Sequence, residues 1–204
     1  MGEGELPAGD FAAWLAGFRA AQATGGGVDV PCDGCTACCT SGQFVHIGPD
    51  ETDTLAHIPS ELLAQAPRLP AGHVVLGYDS EGRCPMLVDG ACSIYAHRPR
   101  ACRAYDCRVF AASGVDVDAA KPALARRVAR WRFSHPAPAD RRLHDAVETT
   151  ATFIRDDVEL AAGGMRPRSP ADLAALAIAV HGAADVGSDP VAVRVAVRQA
   201  LFRR

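Results

Sequence analysis

The sequence contains no apolar run that approaches the roughly 20 residues of a membrane-spanning helix. Its opening residues, MGEGELPAGD, carry acidic side chains where a secretory signal peptide has basic ones. Leu6 occupies the position at which an N-myristoylation motif has serine or threonine. We therefore expect a cytoplasmic protein that has no association with a membrane.

The common short fingerprints of enzymes are also missing. There is no glycine-rich nucleotide motif after a strand, no H-E-x-x-H helix and no G-x-S-x-G elbow. Gly25-Gly26-Gly27 is not followed by the Lys-Ser/Thr pair of a phosphate-binding loop. The sequence therefore leaves the catalytic residues unknown and the question of an enzymatic activity open.

A large excess of either charge is missing as well. Charged residues make up 22% of the 204 positions and apolar residues 49%, a composition typical of a globular chain. The formal net charge of −3 argues against a protein that coats nucleic acid. A chain of this length can bury a sizeable core, so it does not depend on disulfide crosslinks to fold.

Cysteine is absent before residue 32 and after residue 107, although the chain has eight cysteines in all. Cysteines that only fill a core would be scattered, and a reducing cytosol disfavours disulfide bonds. Thiolates are good ligands for zinc, iron and iron–sulfur clusters. We therefore predict a thiolate metal site whose candidate ligands are all eight cysteines: Cys32, Cys35, Cys38, Cys39, Cys84, Cys92, Cys102 and Cys107.

The spacing of the first cysteines narrows the choice of metal. Cys32-x2-Cys35-x2-Cys38 matches the first three cysteines of a bacterial-type [4Fe–4S] loop. The pair Cys32 and Cys35 also suits half of a zinc site. Cys38 and Cys39 are adjacent and their side chains diverge, so either one is a spare thiol or the two face different metals. An iron–sulfur cluster is slightly favoured over zinc or iron ions, and both stay open.

Residue periodicity predicts an α+β fold. An amphipathic helix is expected over 11–23, with Asp10 as its N-cap. Asp89-Gly90 is a two-residue hairpin signal within a small antiparallel sheet. The predicted strands are 44–47, 73–78, 84–88 and 92–95, and the predicted later helices are 121–132, 140–162, 170–182 and a last one from 190. We expect irregular cysteine-rich loops covered by helices, and a mostly helical C-terminal half.

This interpretation divides the chain into three parts. Residues 1–27 form an N-terminal helix and a glycine linker, and residues 28–115 form the cysteine-cluster metal-binding core. Residues 116–204 form a helical region. We expect that region to pack on the core in one globular unit.

Basic residues are concentrated between positions 98 and 132. This segment contains nine basic residues against three acidic ones. The bases either neutralise an anionic thiolate centre or bind an acidic partner, and the first alternative is favoured. Interleaved aromatic residues that would stack on nucleic-acid bases are missing. As a zinc-stabilised interaction module, the protein would present a basic helical face to an acidic protein partner: Arg126, Arg127, Arg130 and Arg132.

The cysteine-rich stretches resemble the CxxCxxCC cysteine-cluster family (YkgJ-like), which is described as a zinc- or iron-chelating domain. The resemblance rests on CDGCTACC followed by GRCPMLVDGACSIYAHRPRACRAYDC and spans positions 32 to 107. It implies that all eight cysteines correspond to cysteines of the family and that the chain binds zinc or iron. The helical C-terminal half lies outside the resemblance.

A second function is raised by the same resemblance, because a related cysteine-cluster region occurs in flagellin lysine methylases. The alternative is a metal-dependent, methylase-like enzyme that modifies a protein or a small molecule. It predicts a pocket lined by Tyr95, Arg98 and Arg103. His46 and His97 are closest in sequence to the cysteine motifs, but we expect them to be hydrogen-bonding neighbours rather than ligands.

Overall fold

A computed structural model describes residues 4–24, 26–28, 30, 32, 34–183 and 189–202. The strands in this part of the chain are β1 (Leu6–Asp10), β2 (Val45–Ile47), β3 (Leu63–Gln65), β4 (Val74–Leu76), β5 (Leu87–Val88), β6 (Ala91–Cys92) and β7 (Trp131–Ser134). The α-helices are α1 (Phe11–Thr24), α2 (Thr52–Ala56), α3 (Arg100–Ala104), α4 (Arg108–Ser113), α5 (Pro122–Val128), α6 (Pro138–Asp156), α7 (Val158–Ala162), α8 (Pro170–Val180) and α9 (Pro190–Phe202). Short 3-10 helices lie at Ser60–Leu62 and Tyr95–His97. Small sheets combined with helices confirm the predicted α+β class.

The chain divides into two compact units. Unit 1 comprises Met1–Arg19, Cys107–Ala119 and Ala125–Arg204, and unit 2 comprises Ala20–Asp106 and Ala120–Leu124. Seven of the eight cysteines therefore belong to unit 2, and the eighth begins the second segment of unit 1. The three-part division that the sequence suggests stays a prediction. Within the described residues, no helix combines the length and the apolar character needed to cross a membrane.

Unit 2 contains a three-stranded antiparallel sheet in the order β2-β4-β3. Strand β4 is central, and its Leu76 is paired with Val45 on one side and with Leu63 on the other. A tight turn follows β4, where the Gly82 N–H donates to the Asp79 carbonyl oxygen at 3.0 Å. Strands β4 and β5, which flank this turn in the chain, do not pair with each other. Strand β5 pairs instead with β6 in a separate two-stranded sheet.

The hairpin between β5 and β6 follows the local sequence signal. Asp89 and Gly90 both have positive φ, 50° and 76°, as a type I′ turn requires. Val88 is paired with Ala91 across this turn, and the hairpin prediction is confirmed. The regular strands are shorter than predicted, so Cys84 lies before β5 instead of within it.

Unit 2 has an apolar core. Its buried members come from strands β2 and β4 and from segments outside the strands: Ile47, Ile58, Leu76, Met86 and Ile94. Cys84 and Cys92 pack against this core at its edge. The core therefore supports the two cysteines of the hairpin region from one side.

Unit 1 contains a parallel pair of strands, β1 and β7, which are more than 100 residues apart in the sequence. Leu6 is paired with Trp131, and Asp10 with Ser134. The sequence predicted a helix over 121–132, and that prediction is wrong beyond Val128, where α5 ends before β7. The strand follows the pairing with β1, which no local pattern reveals.

The helices of unit 1 pack around α8, which contacts α4, α6 and α9. Its small and apolar side chains, including Leu176 and Ile178, are almost completely buried. Ser169 accepts a hydrogen bond from the Asp172 N–H at 3.1 Å and caps α8 as predicted. In α9 the buried residues are Val193 and Val197.

The predicted helix over 140–162 is interrupted at Asp157, which separates α6 from α7. The Asp157 carboxylate accepts a hydrogen bond from the Leu160 N–H at 2.8 Å, so it caps α7. The same carboxylate accepts from the Arg194 guanidinium at 2.8 Å, although only 4% of the Asp157 side chain is exposed. A single residue therefore starts α7 and ties it to α9.

Replacing Asp157 with asparagine should lower the free energy of unfolding by about 1–2 kcal/mol, because the cap and the ion pair are both weakened. The Arg194 guanidinium lowers the pKa of the Asp157 carboxyl. A depressed carboxyl pKa stabilises the fold above the unfolded-state value of 3.8 and loses that effect as the pH falls below it. Denaturant unfolding at pH 7 and at pH 3 measures both effects.

The neighbouring Asp156 provides the matched control. It pairs with Arg155 on the surface, and 60% of its side chain is exposed. Replacing Asp156 with asparagine should therefore change the stability by less than about 0.5 kcal/mol. Equal losses in the two variants would contradict a special role for Asp157.

Candidate metal centre

A backbone hydrogen bond joins the two cysteine groups of the sequence. The Cys84 N–H donates to the Cys39 carbonyl oxygen at 2.7 Å. Close by in the chain, the Gly42 N–H donates to the Gly82 carbonyl oxygen at 2.9 Å. These two bonds place the end of the first cysteine loop beside the start of the second group.

Tight local turns arrange the first cysteine group. The Cys35 N–H donates to the Cys32 carbonyl oxygen at 2.6 Å, so the chain turns sharply between these two cysteines. Gly34 lies inside this turn with a φ of 71°, a left-handed conformation that glycine adopts without strain. Cys38 and Cys39 follow in a second turn, in which the Thr40 N–H donates to the Thr36 carbonyl oxygen at 3.1 Å.

The Cys84 thiol lies where backbone N–H groups converge on it. Burial raises its pKa, and the nearby Cys92 thiol raises it further. Hydrogen bonds from the backbone of Met86 and Leu87 act in the opposite direction. N–H groups directed at sulfur favour its thiolate form, which is the form that binds metals.

The Cys39 thiol lies near several other cysteines. Burial is the largest cause that raises its pKa, to about 11 from the usual 9.0. The remaining causes are the charges of four other cysteines: Cys84, Cys92, Cys32 and Cys35. Cys39 is therefore close to both cysteine groups at once.

Helix α3 adds one more thiol. The Cys102 N–H donates to the Pro99 carbonyl oxygen at 2.9 Å in the first turn of this helix. Burial raises the pKa of Cys102 to about 12, with additional contributions from Cys39, Cys84 and Cys92. Six thiols are thus linked electrostatically through Cys39 and Cys102, and we call them the thiol cluster: Cys32, Cys35, Cys39, Cys84, Cys92 and Cys102.

The sulfur atoms of the thiol cluster are not packed as closely as ligands of one zinc ion. Zn–S bonds of about 2.3 Å in a tetrahedral site place neighbouring sulfurs about 3.8 Å apart. Among the residues that the structure describes, no three thiols have sulfur atoms that all lie within 4.8 Å of one another. All eight cysteines are free thiols. The donor set suits zinc or iron, and a single ion would draw the thiols inward.

Cys107 has a different environment from the thiol cluster. It belongs to unit 1, and only 6% of it is exposed. The Trp131 indole N–H donates to its sulfur at 3.2 Å. Its role as a metal ligand, like that of Cys38, stays a prediction.

Tyr95, Arg98 and Arg103 were predicted to line the pocket of an enzyme. The Arg98 guanidinium lies over the Tyr95 ring, 3.6 Å from its centroid, and the Arg98 Nε donates to the Tyr95 carbonyl oxygen. These two side chains therefore contact each other. The Arg103 carbonyl oxygen accepts from the Val28 N–H at 3.0 Å. A Cβ added at Gly27 would lie 3.2 Å from the Arg103 Cβ, so a side chain there would require a small shift of Arg103.

Three of the four arginines proposed as a basic face have contacts within unit 1. Arg127 lies over the Trp131 ring, and the Arg130 Nε donates to the Gly4 carbonyl oxygen. Arg132 pairs with the exposed Glu5 at 2.9 Å. Arg126 is exposed.

Sequence analysis missed a buried carboxylate that positions α3. Glu51 is 8% exposed, and its two oxygens accept hydrogen bonds from the backbone N–H groups of Gly48 and Arg100. Arg100 is the first residue of α3, which carries Cys102. Glu51 therefore links the loop before α2 to the helix that presents Cys102.

Replacing Glu51 with glutamine should lower the free energy of unfolding by roughly 1–3 kcal/mol, because one backbone donor then faces an NH2 group. The affinity for metal should fall as well, since α3 is held less firmly. Thermal unfolding and a metal competition assay measure these two effects. The Glu61→Gln variant is the control, because Glu61 is exposed in the 3-10 helix that follows. A fully stable Glu51→Gln protein would contradict this role.

The comparisons with known proteins agree with the chemistry of the thiol cluster. Residues 31–122 match the model of the CxxCxxCC family, which is described as a "putative zinc- or iron-chelating domain". The match includes all eight cysteines and confirms the resemblance seen in the sequence. No curated protein and no solved structure matches the chain at a significant level.

Proposed function

We propose that this domain of the CxxCxxCC family binds a metal centre through the thiolates of the thiol cluster. The observation that carries the proposal is the convergence of separate cysteine segments of unit 2 on Cys39, whose backbone oxygen accepts from the Cys84 N–H at 2.7 Å and whose thiol is influenced by Cys32, Cys35, Cys84 and Cys92. Free cysteines that only fill a core do not need to interact in this way. Binding of one metal centre would give a common role to the separate segments of unit 2 that carry these cysteines.

The electrostatics of the thiol cluster support a cation at its centre. Without a metal, burial and neighbouring cysteines raise the pKa of Cys39 to about 11 and that of Cys102 to about 12. These thiols are therefore protonated at neutral pH when no metal is bound. A divalent or trivalent ion replaces the protons and removes the repulsion between thiolates, which couples binding to proton release.

We further propose that the centre is an iron–sulfur cluster rather than a single zinc ion. The spacing of Cys32, Cys35 and Cys38 is that of a cluster-binding loop. In a cluster each thiolate binds a different iron atom, so the sulfurs lie farther apart than around one zinc ion. Among the described residues no three thiols lie within 4.8 Å of one another, which is compatible with this larger centre.

Metal and acid-labile sulfide analysis of protein purified without oxygen tests the proposal. A brown protein with broad absorption near ~400 nm, and with equal amounts of iron and sulfide, would support a cluster. A colourless protein with stoichiometric zinc would support thiolate binding of zinc and contradict the cluster. Protein with neither metal nor sulfide, and with all thiols reactive, would contradict the proposed function itself.

A further inference from the structure

A second group of potential metal ligands lies in unit 2 and contains no cysteine. Asp53, His57 and His97 bring one ligand atom each to within 4.8 Å of one another. Among the described residues, no other group of three or more histidine, cysteine or acidic side chains has its ligand atoms this close together. Sequence analysis left His97 out of the ligand set and did not consider the other two.

Local structure brings the three side chains together. Asp53 lies in α2 and His57 is the C-cap of the same helix, one turn later, so both face the same side. His97 ends the 3-10 helix at Tyr95–His97. The His57 and His97 rings stack, with centroids 3.6 Å apart and an angle of 7° between the planes.

The carboxylate already contacts one of the two histidines. His97 Nδ1 lies 2.8 Å from Asp53 Oδ2. Two ligand atoms of one tetrahedral ion, each about 2.0–2.1 Å from it, are about 3.3–3.4 Å apart. Binding of an ion therefore requires His97 Nδ1 and Asp53 Oδ2 to separate by roughly half an ångström.

The His57 ring is oriented by the backbone of its own helix. His57 Nδ1 lies 2.8 Å from the Asp53 carbonyl oxygen. With a proton on Nδ1, this contact is a hydrogen bond, and it leaves a lone pair on Nε2. A hydrogen bond from the other ring nitrogen to a carbonyl oxygen is the usual arrangement of a histidine that binds a metal.

We propose that Asp53, His57 and His97 form a second metal site, separate in its ligands from the thiol cluster. Two imidazoles and one carboxylate suit Zn²⁺, Fe²⁺, Co²⁺ or Ni²⁺, whereas the soft thiolates favour zinc and iron–sulfur clusters. The side chains of Asp53, His57 and His97 are 69%, 41% and 37% exposed. An ion held by three exposed ligands keeps open coordination positions, so it exchanges readily with ions in solution.

Binding requires a small rearrangement of the stacked rings. Each metal–nitrogen bond lies in the plane of its imidazole, so two parallel rings do not direct their lone pairs at one point. Nitrogens on one ion are about 3.4 Å apart in a tetrahedral site. The ring centroids of His57 and His97 lie 3.6 Å apart, so the two rings are close enough for a tilt to direct one nitrogen of each at the same ion.

A second histidine pair in unit 2 provides the matched control. His46 Nε2 lies 3.0 Å from His73 Nδ1, and the two rings also stack. Within the described part of the chain, this pair is not part of a group of three ligands. It therefore resembles the proposed site in exposure and stacking but lacks the convergent carboxylate.

The test is a titration of the full chain with Zn²⁺, followed by long-range proton–nitrogen NMR of the histidine rings. Metal bound to the thiol cluster is retained, and its amount is measured separately. We expect saturable shifts at His57 and His97, and binding about 10- to 100-fold weaker in the Asp53→Asn and His97→Asn variants. The His46→Asn variant should bind Zn²⁺ as the parent protein does.

Two results would overturn the second site. One is the absence of shifts at His57 and His97 when Zn²⁺ is added. The other is unchanged Zn²⁺ binding in a folded Asp53→Asn protein. The thiol cluster is assessed independently by metal analysis and thiol titration, so failure of one site is distinguishable from failure of the other.

Discussion

The Cys39→Ser variant is expected to lose most of its tightly bound metal. Cys39 interacts with four other cysteines, and its backbone oxygen accepts the hydrogen bond that joins the two cysteine groups. A serine keeps that backbone contact but replaces a thiolate with a poor ligand. Binding should weaken by at least about 100-fold, which corresponds to roughly 2.7 kcal/mol.

The same variant should also be less stable, because metal binding in small cysteine domains is part of the folding energy. A loss of this size lowers the Tm by roughly 5–10 °C in a chain of this length. Metal analysis and calorimetry of protein purified without oxygen measure both effects. Full metal content in Cys39→Ser would contradict the position of Cys39 in the thiol cluster.

The Cys38→Ser variant tests the proposed cluster-binding loop, because Cys38 is the third cysteine of the Cys32-x2-Cys35-x2-Cys38 motif. We expect Cys38→Ser to lose iron and sulfide. A Cys38→Ser protein with full iron and sulfide would contradict a cluster bound by this loop, and it would leave the expected effect of Cys39→Ser untouched.

Metal affinity is expected to rise steeply with pH. Cys39 and Cys102 have pKa values of about 11 and about 12 in the metal-free protein, so each is protonated at pH 7. Each thiol that becomes a ligand releases one proton, and this raises the affinity about tenfold per pH unit. These two thiols alone should therefore strengthen binding about 100-fold between pH 6.5 and 7.5. Competition with a chelator of known pH dependence measures the slope.

The free energy of unfolding of the metal-free protein should fall as the pH rises, whereas the metal affinity rises. The folded-state pKa values of Cys39 and Cys102 are raised above the usual 9.0, so folding is favoured below that value. Stability is then lost as the pH rises from 9 through about 11 to 12. Denaturant unfolding of the metal-free protein between pH 8 and 11 measures this loss. A flat profile, together with pH-independent metal affinity, would contradict buried and interacting thiols.

Elements encoded by neighbouring residues were predicted well. Asp89-Gly90 forms the hairpin, and Asp10 accepts a hydrogen bond from the Ala13 N–H at the start of α1. Ser169 caps α8. In each case the side chain and the backbone group that it satisfies lie within a few residues, so the sequence contains the whole interaction.

Elements that depend on distant partners were not predicted. Strand β7 forms against β1, from the opposite end of the sequence. Asp157 interrupts a helix-forming stretch because its carboxylate binds both the Leu160 N–H and the Arg194 guanidinium. Local propensity is overridden by such tertiary contacts.

The candidate site also combines features that the local sequence predicts with features that only the fold reveals. The cysteine motifs pointed to the CxxCxxCC family whose model residues 31–122 match, because short spacings are local. The contribution of Glu51 to α3 and the meeting of Asp53 with His97 required the fold, since 44 residues separate the latter pair. An aspartate and a histidine four residues apart were the available local signal for the second site.

X-ray absorption at the edge of the bound metal tests the central claim most directly. The protein is purified without oxygen, and loosely bound ions are first removed with a weak chelator. We predict a first shell of sulfur at about 2.3 Å from the metal. A first shell of only nitrogen or oxygen, with all eight thiols still reactive in the folded protein, would contradict a thiolate metal centre.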